Sequence, residues 1–272
     1  MEVKYATLLW DERLLPCAEM KLQKDYSSGA IRAGALLPES RQLLSGSEAS
    51  FSIGRRSAKW TASLQRILRS RFDLEPGALR SLQQLTASNL DALVIRKIIY
   101  YHAARADKLL YDFIADVVYS AFVSGRREIN VEMASRFVER IQVAGESSNR
   151  WSSKVRARVA RGLLSVGRDF GVFEGKAHKR IASPHMPLEA FVYVAFYLKH
   201  HIRSAKRLME HRDWRLFLIG EQQLHELFIQ GHQAGFWHYA AAGSLVRLDW
   251  RLKTWEEMTH GVLAGTHGFV GA

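Results

Sequence analysis

Lys154, Arg158, Arg161, Ser165 and Arg168 recur at intervals of four, three, four and three residues. On an α-helix of about 3.6 residues per turn that spacing lines all five along one flank. Ammonium, guanidinium and hydroxyl groups all donate hydrogen bonds, so such a row suits the oxygens of a phosphate backbone. A second row of the same kind, Arg55, Lys59 and Arg66 with Ser63 and Ser70 beside them, falls within residues 55–72. A merely solvated face mixes acids with bases, and neither row contains an Asp or Glu. Behind the longer row, Lys176, Lys179 and Arg180 crowd into a short segment that reads as a basic turn between two strands.

The charge balance of the whole chain concentrates in these same places. The 272 residues include 39 Lys and Arg against 27 Asp and Glu, a net charge of +12. Residues 55–71 hold six bases and no acid, and residues 150–180 hold nine bases against Asp169 and Glu174, so the two stretches carry +13 and the remainder −1. Charge segregated in this way points to an anionic partner, of which nucleic acid is the commonest for a basic protein. The rows lack the Asn and Gln that pair bidentately with adenine, so the expectation is duplex DNA held through its backbone with weak sequence selectivity.

Other chemistries leave weaker traces. Of the eleven histidines, His200 and His201 are adjacent and point about 100° apart on a helix, while His225 and His232 lie seven residues, or about 10 Å, apart, so neither pair chelates a metal readily. Gly162 to Gly167 falls inside a helical pattern and lacks the Lys-Ser/Thr that completes a phosphate-binding loop. Asp107, Asp112 and Asp116 share a helical spacing but read as salt-bridge partners for Arg105 and Lys108. The single cysteine, Cys17, excludes an intramolecular disulfide framework. The expectation is a protein without catalytic residues, metal or cofactor.

The elements that position the rows are helical. Leu36 to Leu44 makes a short helix, Ser47 to Ser52 a turn, and 55–72 a helix with Trp60, Leu64, Ile67 and Leu68 on its apolar face, which together resemble a helix-turn-helix unit. Pro76-Gly77 marks a boundary, and Leu90 to Phe122 reads as a helical core. Val131 to Ile141, entered through Asn130, places Val131, Ala134, Phe137, Val138 and Ile141 on one face. A linker over 144–149 precedes Trp151-Ser152-Ser153, which caps a helix running to Asp169 with Val155, Val159, Leu163 and Val166 as its buried stripe. Val172-Phe173 and the residues up to Ile181 then form the strand, turn and strand of a wing. Helices at Leu188 to His201 and Glu221 to Gln233 and a hairpin of Phe236 to Ala240 with Leu245 to Trp250 complete the chain. The predicted fold is mainly α: a helical bundle with helix-turn-helix or winged-helix units and a small C-terminal β-hairpin. The expected organisation is residues 1–76, 77–145 and 146–272.

The longest apolar stretch, Ala190 to Leu198, is far short of the roughly 20 residues a membrane span needs, and the N-terminus lacks a secretory pattern, so a cytoplasmic protein is expected. Four stretches, Ala33 to Ser40, Leu109 to Phe113, Trp151-Ser152-Ser153 through Arg161-Gly162-Leu163-Leu164 to Gly171, and Ala241 to Leu248, resemble the BrxA family, accessory proteins of bacteriophage exclusion (BREX) defence systems. The resemblance implies a mostly helical DNA-binding protein, with a DNA methyltransferase, a phosphatase-superfamily protein and a large ATPase as possible partners that do the enzymology. It supplies no active-site motif. Members of the family have been labelled inner-membrane proteins, a label this chain departs from. Two further readings stay open at this point: a scaffold whose basic surfaces dock on acidic faces of those partners, and an RNA-binding helical module of the antitermination type.

Overall fold

The computed structural model describes residues 74–143, 151–175, 178–243 and 245–265, which separate into two compact units, one of residues 103–183 and one of 74–102 together with 184–265. The protein is mainly helical with two small antiparallel sheets. The helix expected over 55–72 lies outside the described residues, as do Cys17 and the linker at 144–149.

In the first unit, α3 (Lys108–Asp112), a π-helical stretch (Phe113–Val118) and α4 (Tyr119–Val123) form one continuous rod. The strand β1 (Glu128–Ile129) follows, then α5 (Val131–Val143), α6 (Ser153–Asp169), β2 (Phe173–Glu174) and β3 (Lys179–Ile181). The three strands form an antiparallel sheet in the order β1-β3-β2. The short aspartates act locally: the Asp107 side chain accepts from the backbone N–H of Leu110 at 3.0 Å and caps α3, and Asp112 pairs with Lys108 one turn away.

The core of this unit is aromatic and aliphatic. Phe113 meets Phe137 of α5 with ring centroids 5.4 Å apart and Phe173 of β2 at 6.5 Å. On α6 the buried residues are Val159, Ala160, Leu163, Leu164 and Gly167, whereas Val155 and Val166 of the expected stripe are only half-buried. The buried face is turned toward 160, 164 and 167 because β2 lies against the C-terminal half of α6. A Cβ on Gly167 would stand 2.7 Å from Cδ2 of the Phe173 ring and closer still to Cε2. Val131, assigned by periodicity to the buried face of α5, is exposed at the first position of that helix.

In the second unit α7 (Leu188–Lys199) is apolar all round, with every residue from Ala190 to Phe196 buried, so it must be surrounded rather than laid on a surface. Around it pack α8 (Ala205–Met209), α9 (Glu221–Gln233) and α10 (Trp255–Ala264). The helix α1 (Pro76–Ala87) lies on α10, where Thr259 Oγ1 donates to Ser81 Oγ at 2.6 Å and Trp255 Nε1 donates to Glu75 Oε1 at 2.5 Å. Pro76, read from sequence as a boundary, is the opening residue of this helix, where its missing N–H costs nothing. The helix α2 (Ala92–Ala106) contributes Tyr101, whose hydroxyl donates to the buried Asp213 at 2.7 Å, and His102, whose Nε2 is 2.8 Å from the Tyr193 hydroxyl. The strands β4 (Trp237–Ala242) and β5 (Leu245–Trp250) pair over all six positions, so the first strand begins one residue later and ends two residues later than expected.

Candidate nucleic-acid interface

The basic row stands on α6. Ser152 caps it by accepting from the backbone N–H of Val155, and no acid follows in the first turn. Lys154, Arg158 and Arg161 are exposed on the flank opposite the buried face, and they cover about 10 Å of helix length at about 1.5 Å per residue. Ser165 is half-buried beside them. Arg156 belongs to a different side: its guanidinium is partly buried and donates to the Trp151 carbonyl at 3.1 Å, closing the entrance of the helix.

Arg168 ends the row differently. Its Nε and Nη2 both donate to Oδ1 of Asp169, at 3.2 and 2.9 Å. Its side chain is 33% exposed and that of Asp169 only 10%. The other carboxylate oxygen, Oδ2, is buried with no hydrogen-bond partner. Sequence reading placed Arg168 with the other bases because spacing reports the direction of a side chain and says nothing of the neighbour that holds it.

The β2–β3 pair divides its residues between two faces. Cross-strand partners share a face of a sheet. Arg180 is in register with Glu128 on one side and Glu174 on the other, so its exposed charge sits in a row between two carboxylates. Lys179 is opposite Ile129 on the other face and is half-buried. Gly175 turns the chain at φ +86°, and a Cβ there would collide with the His178 carbonyl, so the tight turn requires glycine. Glu128 escaped sequence reading because its strand is two residues long, too short to carry an alternation signal. Lys176, like Arg55, Lys59 and Arg66, lies outside the described residues.

The histidines are occupied elsewhere. His200 stacks on Trp255 with centroids 5.0 Å apart, His232 Nδ1 accepts from the backbone N–H of Tyr239 at 3.1 Å, and His238 Nε2 lies 3.1 Å from Arg251 Nη2. Among the described residues no cluster of three or more His, Cys, Asp or Glu is placed to hold a metal ion. No described helix is long and apolar enough to cross a membrane.

No curated protein and no solved structure matches the chain. The family model that does match is BrxA, over residues 53–197. That span covers more than half of the 272 residues and takes in α1 to α6, strands β1 to β3 and most of α7. The chain therefore belongs to the BrxA family of BREX phage-defence components.

Proposed function

We propose that this protein is a non-enzymatic DNA-binding component of its defence system, and that α6 is the helix that meets the duplex. The observation that carries the reading is the exposed, acid-free row Lys154, Arg158 and Arg161 on the second helix of a pair, followed at once by a two-stranded wing. The succession helix, strand, two helices, two strands, with β3 central in the sheet, supports a winged-helix reading, in which α6 would take the recognition position. Donors that grip phosphate without Asn or Gln to read adenine favour binding with little preference for sequence. The row around Arg180, with a glutamate on each side, suits a protein surface of mixed charge better than a phosphate backbone, so the methyltransferase, phosphatase-like protein or ATPase of the system would be received on the wing.

The test is binding of a random-sequence duplex across a salt series, with an RNA hairpin as competitor. Three phosphates neutralised by α6 contribute a slope of about −2.7 in log K against log salt, which is about a 40-fold loss between 50 and 200 mM. Reversing Lys154, Arg158 and Arg161 together to Glu should remove at least that contribution. Unchanged binding by the folded triple variant refutes the assignment, and preferential capture of the hairpin moves the reading to RNA.

A further inference from the structure

Asp169 is an unexpected residue at its position. It is the last residue of α6, where the helix dipole is negative and disfavours a carboxylate, and it is nine-tenths buried, which disfavours a charge further. Both liabilities are offset by one neighbour, since Nε and Nη2 of Arg168 converge on Oδ1 while Oδ2 has no hydrogen-bond partner at all. Removing Arg168 from this pair would leave a buried carboxylate with neither oxygen satisfied. Stranding the buried carboxylate without its partner is more costly than the modest value of a pair whose arginine is one-third exposed. A phosphate on the duplex therefore competes poorly for that guanidinium.

We infer that Asp169 sets the reach of the DNA-binding row, by holding Arg168 out of phosphate contact so that α6 engages the duplex without it. This rests on the proposed role of α6 and adds its regulation: Asp169 is a positioning residue that limits the affinity of the helix for any polyanion. The row named by spacing is closed at its C-terminal end by an internal ion pair. Limiting the count of phosphate contacts keeps a sequence-indifferent binder able to leave DNA at physiological salt, because each contact adds about 0.9 to the salt slope.

The experiment compares the wild-type chain with Asp169→Asn, Arg168→Gln and the double variant, each confirmed folded by circular dichroism, on one random-sequence duplex between 50 and 200 mM salt. Asp169→Asn frees Arg168 and should steepen the slope by about 0.9, which corresponds to binding about three- to four-fold more sensitive to salt over that range. Arg168→Gln alone should leave the slope of the wild type unchanged, and adding it to Asp169→Asn should return the slope to the wild-type value. A slope that falls by about 0.9 in Arg168→Gln alone would show Arg168 already on a phosphate and overturn the inference. So would an unchanged slope in Asp169→Asn. Absence of duplex binding by the wild type would overturn the role of α6 itself, and this inference with it, so the two failures are distinguishable.

Discussion

Replacing Gly167 by alanine sets two local effects of opposite sign against each other. Within a helix the change relieves glycine's backbone entropy and should stabilise by about 0.5–1 kcal/mol. In this fold, however, the new methyl would stand 2.7 Å from Cδ2 of Phe173, nearer to Cε2, and 3.2 Å from Cζ, so it meets the edge of a ring rather than the end of a flexible chain. Phe173 is itself buried and lies against Phe113, so the ring has little room to retreat. Overpacking of this kind costs about 1–3 kcal/mol, which leaves a net destabilisation of about 1 kcal/mol. In urea titration that corresponds to a midpoint lowered by about 0.5 M. Shrinking the ring should rescue it: Gly167→Ala combined with Phe173→Leu should lose less than the two single changes added together. A variant more stable than the parent, or strict additivity of the two, would refute the packing argument and leave helix propensity in control.

Two further outcomes follow from buried groups of the second unit. Burial, with Arg96 beside it, pulls the Lys97 ammonium down from 10.5 to about 8 in a residue that is 8% exposed. Below about pH 8 the folded chain carries the full penalty of that buried charge. From there to about pH 10.5 the unfolded chain holds a proton the folded one has released, so stability rises with pH across that window. At about 1.36 kcal/mol per pH unit the penalty is on the order of 3 kcal/mol, so Lys97→Met should stabilise by up to that amount at pH 7 and flatten the rise, as urea unfolding at pH 7 and 9.5 would register. Tyr101→Phe removes the donor 2.7 Å from the buried Asp213 carboxylate and should cost about 1.5–3 kcal/mol in thermal or urea unfolding.

Much of the helical skeleton was legible because helices announce themselves locally. Ser152 before a run of helical spacing marked the start of α6, and the α9 bounds were readable from Glu221 to Gln233. Errors arose where the answer lay at a distance. Val155 and Val166 were assigned to the stripe by period, but the position of β2 turned the buried face toward Gly167. Pro76 read as a break because its helix is held by Trp255 and Thr259, far along the chain. On the candidate site, exposure of Lys154, Arg158 and Arg161 follows from their spacing on α6, whereas the pairing of Arg168 with Asp169 and the flanking of Arg180 by Glu128 and Glu174 do not.

By itself the sequence determined a mainly helical protein of the BrxA family with an acid-free basic row on a capped helix, because periodicity, capping and charge are properties of residues within a few positions of one another. The tertiary structure alone decided that Arg168 is held by a buried Asp169, that Arg180 lies in register between Glu128 and Glu174, and that Lys97 is buried. Those outcomes depend on strand register and on contacts such as Tyr101 with Asp213, 112 residues apart, and a linear pattern carries no record of which distant side chain closes on which.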